Sequence, residues 1–128
     1  KIHQYTMLCA SSLAQKAAIE ALTRPDIDVG EMVSEYRRRR NYIASAFAEM
    51  GLACHRPLGA FYAFPSVAKF KLPAKEFAMR FLHEERVAVV PGTAFGDCGE
   101  GFVRCAYATS LDNIKEAMVR LKRFVGKL

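Results

Sequence analysis

Segments with the spacing of amphipathic helices alternate along this chain with short runs of β-branched and aromatic residues. The predicted order is two helices, two strands, one helix, two strands and a last helix, with proline or glycine near most boundaries. Short strands interleaved with helices predict an α+β fold, in which a small, mostly antiparallel sheet packs against helices. This pattern leaves the order of the strands in the sheet open.

Four segments repeat apolar residues at the i, i+3, i+4 and i+7 positions that form one face of a helix. The predicted helices cover residues 11–23, 28–50, 74–85 and 112–125. Ser11 or Ser12 can cap the first helix, and Pro25 ends its pattern. Gly51 follows the second helix at the position where glycine favours a helix end.

Four shorter runs are rich in the residues that strands prefer. The predicted strands cover residues 52–55, 60–64, 87–90 and 102–107. Pro57 and Gly59 lie between the first two runs, and this spacing predicts a hairpin.

Composition limits the class of protein. The chain has 128 residues, of which 52% are hydrophobic and 25% charged, enough for one domain with a single core, or for one domain and a small arm. No apolar run approaches the ~18 residues of a membrane span, and the pattern of a secretion signal is absent, so we expect a cytoplasmic protein without a membrane partner. The chain begins at Lys1 within sequence that already has a structured pattern, and we expect it to be part of a longer protein.

The residues that most often bind metals or act as nucleophiles are scattered. The four cysteines have no C-x-x-C spacing or nearby histidine, which argues against zinc and predicts free thiols. The three histidines lack a carboxylate or cysteine at metal or catalytic-triad spacing. These residues are Cys9, Cys54, Cys98, Cys105, His3, His55 and His83.

Four consecutive arginines at 37–40 and a net charge of +6 raise the question of a nucleic-acid partner. Successive residues of a helix point about 100° apart, so these side chains fan around the axis and do not form one basic stripe. We expect a solvated helix with ion pairs to Glu31, Glu35 or Glu49, and no nucleic-acid partner.

Arg104 lies in the middle of an apolar strand-like run. An ionised guanidinium among apolar neighbours needs a partner, because burying an unpaired charge costs several kcal/mol. Asp97, Glu100 or Asp112 could pair with it, or it could face solvent. No acidic residue lies at strand-pair spacing within the run itself. Arginine matches a carboxylate with two parallel hydrogen bonds, so a substrate carboxylate is a further candidate.

Three stretches resemble the class I and II aminotransferases, pyridoxal-phosphate enzymes of fold type I. Residues 87–110 read V-A-V-V-P-G-T-A-F-G-D-C-G-E-G-F-V-R-C-A-Y-A-T-S, which resembles a C-terminal signature of that family. Residues 59–65, G-A-F-Y-A-F-P, are similar to the first strand pair of the family's small domain. Residues 11–22 are similar to the large-domain helix that follows the cofactor lysine segment.

The resemblance implies a function for Arg104, which falls on the family's strand arginine that binds the substrate α-carboxylate. Phe61 and Phe95 fall where side chains can line the substrate side of the cleft, or can simply pack in the core. The family's cofactor lysine lies upstream in an S-x-x-K context that this chain lacks. The resemblance therefore implies pyridoxal 5'-phosphate in the full-length enzyme, no cofactor-binding or catalytic residue in this chain, and no activity of the chain alone.

The same resemblance implies two domains: the end of the large, cofactor-binding domain at 1–27, and the small domain, with the long interdomain helix, at 28–128. It implies an exchange of an amino group between an amino acid and a 2-oxo acid, by a homodimer. The motifs look most like the enzymes for aspartate, aromatic amino acids or alanine. A related fold type I enzyme, such as a C–S lyase or a decarboxylase, and a non-catalytic carboxylate-binding domain are the alternatives.

Overall fold

The computed structural model describes residues 2, 9–24 and 28–128. The chain divides into two compact units, Lys1–Met32 and Val33–Leu128. The described residues include four helices and a small antiparallel sheet, so the predicted α+β class is confirmed. The helices are α1 (Ser12–Thr23), α2 (Gly30–Glu49), α3 (Ala74–Glu85) and α4 (Leu111–Val125).

Helix α1 lies in the first unit, and its start agrees with the capping prediction. The Ser11 hydroxyl oxygen accepts a hydrogen bond from the backbone N–H of Ala14 at 3.2 Å, which satisfies one of the free donors of the first turn. The helix ends at Thr23. Pro25, predicted to end the pattern, lies outside the described residues.

Helix α2 ends in a left-handed glycine cap, as its sequence predicts. Gly51 has φ +64°, and the N–H of Leu52 donates to the carbonyl of Phe47 at 2.9 Å. The buried Leu52 side chain therefore belongs to the helix end, and residues 52–55 form no strand. The predicted hairpin between 52–55 and 60–64 is wrong: Leu52 completes the cap of α2, and the carbonyl of Ala53 accepts from the N–H of Ser66, at 2.7 Å, without forming a strand pair.

The sheet of the second unit has three short strands in the order β1-β3-β2, both pairs antiparallel. The strands are β1 (Tyr62–Ala63), β2 (Val90–Pro91) and β3 (Val103–Ala106). The last run of the chain thus forms the central strand. The strand predicted at 87–90 is paired only at its end, where Val90 lies opposite Arg104.

The core of the second unit lies between the inner face of the sheet and helices α2, α3 and α4. Rings from α3 and α4 meet there, with the centroid of Phe124 at 5.2 Å from those of both Phe77 and Phe81. Aromatic pairs at this distance add to the stabilisation that burial provides. This packing supports the sheet from one side and leaves its other face open.

Among the described residues, Glu85 is the charged side chain that is buried, and it is the last residue of α3. A carboxylate at a helix C-terminus is unfavourable with respect to the helix dipole, so it needs cations from elsewhere. Helix α4 supplies Arg123, which binds both carboxylate oxygens, and Lys127 beyond its end donates at 3.0 Å. The pKa of Glu85 is lowered from 4.5 to about 2, chiefly by its hydrogen bonds with the Arg123 guanidinium. Desolvation of the buried carboxyl acts in the opposite direction, and Lys127 lowers the pKa further.

We expect this network to make the stability of the second unit depend on acid pH. A carboxyl whose pKa is lower in the folded state stabilises the fold above its unfolded pKa, and that contribution is lost as it is protonated. The free energy of unfolding should therefore fall between pH 4.5 and about pH 2. In the Glu85→Gln protein, the free energy of unfolding measured with urea should change less with pH over this range. Glu84→Gln, at the exposed neighbouring position, is the matched control and should keep the slope.

Candidate functional site

Arg104 extends from the outer face of the central strand. Side chains alternate along a strand, and Val103 and Cys105 occupy the buried face of β3, so Arg104 and Ala106 lie on the opposite face. The register places Tyr62 opposite Ala106 and Val90 opposite Arg104 on that face. Both edges of the sheet thus contribute to the surroundings of the arginine.

Two aromatic rings contact the guanidinium. Its central carbon lies 4.3 Å from the ring centroid of Tyr62 and 4.6 Å from that of Phe95. Each cation–π contact at a partly exposed site contributes about 0.5–1 kcal/mol and restricts the side chain. Aromatic carbons do not replace an oxygen acceptor, so the rings orient the guanidinium without satisfying its N–H donors.

None of the acids considered from the sequence pairs with Arg104 in the part of the chain that the structure describes. Glu100 instead accepts hydrogen bonds from the backbone N–H groups of Ala74, at 2.7 Å, and Gly101, at 3.1 Å. Asp112 lies 3.5 Å from the ammonium of Lys115. Asp97 forms no ion pair within the described residues. Arg104 is a half-buried cation whose donors remain available to an anion.

Phe95 reaches the arginine from a tight loop between β2 and β3. Two 3₁₀ turns, Gly92–Phe95 and Asp97–Gly99, fold back so that Gly92 and Gly99 are in backbone contact. The N–H of Gly92 donates to the carbonyl of Phe102 at 2.8 Å, which closes the base of the loop. The ring centroids of Phe95 and Phe64 lie 5.9 Å apart in an edge-to-face arrangement, and Phe95 remains 52% exposed. Phe95 therefore lies on the open side of the sheet and is not a core residue.

Phe61 lies one ring further from the arginine. Its centroid is 4.6 Å from that of Tyr62 and 6.2 Å from that of Tyr36, and it is 39% exposed. It packs against Tyr62, and the cation–π contacts of Arg104 among the described residues are with Tyr62 and Phe95. Below it, the buried Tyr107 hydroxyl donates to the carbonyl of Ala60 at 3.0 Å, and burial raises the Tyr107 pKa. The structure thus groups Arg104 with Phe95 and Tyr62, and places Phe61 behind Tyr62.

Tyr62 is not among the site residues predicted from the sequence. A signal was present, because Tyr62 and Ala63 are consecutive residues of a strand and must face opposite sides of the sheet. Once Ala63 is assigned to the core, Tyr62 belongs to the outer face. Only the register of β1 against β3 brings its ring to the arginine.

Neither the half-buried Cys54 nor the buried Cys105 provides a reactive thiol. All four cysteines are free, as predicted. Desolvation raises the pKa of Cys105 to about 12 and also raises that of Cys54, so both thiols stay protonated at neutral pH. Among the described residues no group of histidine, cysteine and acidic side chains could hold a metal ion, and no described helix is long and apolar enough to cross a membrane.

The arginine run at 37–40 forms local contacts on α2. Arg38 and Arg39 both bind Glu35, with nitrogen–oxygen distances of 2.9 Å and 2.8 Å, so the expected ion pair with Glu35 is confirmed. Arg40 donates to the side-chain oxygen of Asn41 at 3.0 Å. The run distributes its charge around the helix and builds no second site beside Arg104.

The chain is similar to known proteins over nearly its whole length. The family model described as aminotransferase class I and II matches residues 2–121. The Bacillus subtilis protein YugH is 52% identical over 99% of this chain, and the aromatic-amino-acid aminotransferase 2 of Thermococcus litoralis is 42% identical over 96%. The chain spans about a third of the length of these relatives: 33% and 32%.

Solved structures show the same similarity in three dimensions. The aromatic aminotransferase of Pyrococcus horikoshii superimposes on 98% of this chain with a TM-score of 0.85 at 42% identity, over 34% of its own length. The aspartate aminotransferase of Thermotoga maritima superimposes on 98% with a TM-score of 0.80 at 36% identity.

Proposed function

Because this chain belongs to the class I and II aminotransferase family, we propose that it is the C-terminal part of an enzyme that exchanges an amino group between an amino acid and a 2-oxo acid. In this proposal Arg104 binds the α-carboxylate of both substrates. The observation that supports it best is the half-buried guanidinium of Arg104, held between two rings and without an acidic partner among the described residues.

The proposed contribution of this chain is to bind and orient the substrate. A guanidinium and a carboxylate form two parallel hydrogen bonds, which define a plane as well as a distance. Tyr62 and Phe95 restrict the guanidinium before the substrate arrives, so less freedom is lost on binding. Orientation of the carboxylate in turn orients the bond at the α-carbon that must react.

Lys16, Lys69 and Lys115 do not fit the cofactor. Pyridoxal 5'-phosphate supplies the electron sink of amino-group transfer and needs a lysine free to bind it covalently. Lys69 instead donates to the carbonyls of Met50 and Gly51 at 2.7 Å and 3.0 Å, where it caps the end of α2. Lys115 is paired with Asp112, and Lys16 lies on the exposed helix α1. We therefore propose that the cofactor is held by residues outside this chain, and that the chain alone does not transaminate.

The test is to produce the longer protein that contains this chain, add pyridoxal 5'-phosphate, and record visible absorption. The amino-acid panel should include aspartate and aromatic amino acids, which appear in the names of the relatives. We expect a cofactor band that disappears with an amino acid and returns with a 2-oxo acid. The 128-residue chain is the matched control and should give no such cycle.

Other products would favour other proposals. Release of a thiol or of CO₂ would indicate a C–S lyase or a decarboxylase with the same carboxylate arginine. Failure of the longer protein to bind the cofactor would contradict the enzyme proposal and leave a non-catalytic carboxylate-binding domain. The homodimer, the cytoplasmic location and the division at residues 27 and 28 remain predictions of the family resemblance.

A further inference from the structure

A cavity lies on the opposite side of the sheet from the Arg104 side chain. A cavity of about 70 Å³ extends under the sheet between α3 and α4. Its walls are mostly apolar and include Phe81, Val89, Ile114 and Leu121. A single water needs roughly 10–15 Å³ of such space, so the cavity has room for an aliphatic chain of about three to five carbons. Neither Arg104 nor the rings around it line this space.

The cavity adjoins a surface groove that has a different character. The groove, of about 280 Å³, is bordered by Arg86, Glu116 and Arg120. Four residues line both spaces and mark where the groove passes into the cavity: Val87, Ala88, Asn113 and Ala117. The combined site therefore has an apolar interior and a charged entrance, the arrangement of many small-molecule sites.

The charge at the entrance favours an anion. The charge of Arg120 is paired with that of Glu116, because its Nε donates to the Glu116 carboxylate at 2.8 Å. Its Nη1 donates to the carbonyl of Glu85 at 3.0 Å. Arg86 is exposed, and its guanidinium forms no hydrogen bond or ion pair within the described residues. Of the two arginines at this entrance, Arg86 is therefore the one whose charge has no acidic partner among the described residues, and its guanidinium N–H groups can bind an anion.

The backbone beside the entrance is also unpaired. Arg86 ends α3 in the left-handed conformation, with φ +58°, and β2 begins only at Val90. Between them, residues 87–89 form no backbone hydrogen bond with any described residue, since the pairing of β2 and β3 stops at Val90 and Arg104. Amide N–H groups next to an unbalanced cation are suitable donors for an oxyanion.

We propose that this groove and cavity form a binding site for a short aliphatic monocarboxylate of about four to six carbons. The carboxylate lies in the groove with Arg86, and the apolar tail passes Ala117 into the cavity. This site is distinct from the proposed carboxylate site, because Arg104, Tyr62 and Phe95 do not line it, although Ala106 of the same strand borders the cavity.

The test uses the intact protein with Arg104→Gln, so that a carboxylate cannot bind at the strand arginine. Titration calorimetry with isovalerate should show saturable binding with a dissociation constant on the order of 1 mM. Acetate, which lacks the tail, and isopentyl alcohol, which lacks the charge, should each bind at least about ten times more weakly. Equal binding of all three, or no saturable binding of isovalerate, would overturn the proposal.

Two substitutions locate the binding. Arg86→Asn removes the charge at a left-handed position that asparagine tolerates, and should weaken isovalerate about ten-fold. Ala117→Leu should fill the passage and abolish saturable binding. If that variant does not fold, Ala88→Leu at an exposed position of the same passage replaces it. Unchanged affinity in the Arg86 variant, or in a folded passage variant, would contradict the assignment.

Discussion

Replacing Arg104 with lysine should raise the KM of the intact enzyme for its amino-acid substrate by about 100-fold, equivalent to about 3 kcal/mol. The reason is geometric, because an ammonium keeps the charge but cannot donate two parallel hydrogen bonds to a carboxylate. Lysine also loses the planar contact with the rings of Tyr62 and Phe95, so its position on the open face of the sheet is less restricted. Steady-state kinetics with the preferred amino acid measure the effect.

The matched control is Arg56→Lys, an exposed arginine whose guanidinium donates to Asn41 at 2.9 Å and takes no part in the contacts of Arg104 with Tyr62 and Phe95. This control should leave the KM within about two-fold of the starting protein. Thermal unfolding of both variants separates a binding defect from a folding defect. An unchanged KM in Arg104→Lys would contradict the carboxylate role and leave Arg104 a structural cation.

Gly99→Ala should destabilise the second unit by about 3 kcal/mol and disorder the loop that presents Phe95. A Cβ on Gly99 would collide with the carbonyl of Gly92 and lie 3.0 Å from its Cα, and one on Gly92 would lie 2.9 Å from the oxygen of Phe102. These atoms belong to the backbone and cannot rotate away as a flexible side chain would. Chemical unfolding measures the loss, and substrate KM should rise as well because Phe95 contacts Arg104.

Gly59→Ala tests whether the collision, and not the change of residue type, causes the loss. A Cβ at Gly59 has no atom within 4 Å. We therefore expect a change in unfolding free energy of less than about 0.5 kcal/mol in that variant. Equal stability of the Gly99 and Gly59 variants would show that the loop can relax, and would contradict the close backbone approach as the support of Phe95.

Helix signals in this sequence are local, and the structure agrees with them. The predicted helix at 74–85 has the observed bounds of α3, and Gly51 adopts the left-handed conformation expected at a helix end. Such signals depend on residues three or four positions apart, which any folded arrangement must respect. The strand predictions are less accurate, since residues 52–55 form no strand and only Val90 of the 87–90 run is paired.

The family and the candidate arginine could be predicted from motifs, and the match over residues 2–121 confirms the family. The roles of Arg104, Phe61 and Phe95 remain predictions for the experiments above. The residues around the arginine are harder to predict from sequence, since Tyr62 reaches Arg104 from a strand more than 40 residues away in the chain. No local pattern specifies which strands become neighbours.

By itself, the sequence determined the helices, the α+β class and the presence of a cation within an apolar strand. Spacing and composition carry that information, because amphipathic periodicity and burial costs depend on the residues themselves. Only the tertiary structure decided that β3 is the central strand, that Tyr62 and Phe95 hold Arg104 between them, and that Glu100 instead receives hydrogen bonds from Ala74 and Gly101. Strand order and register depend on long-range packing of the whole core, so the partners of a side chain on the sheet are set when the chain folds.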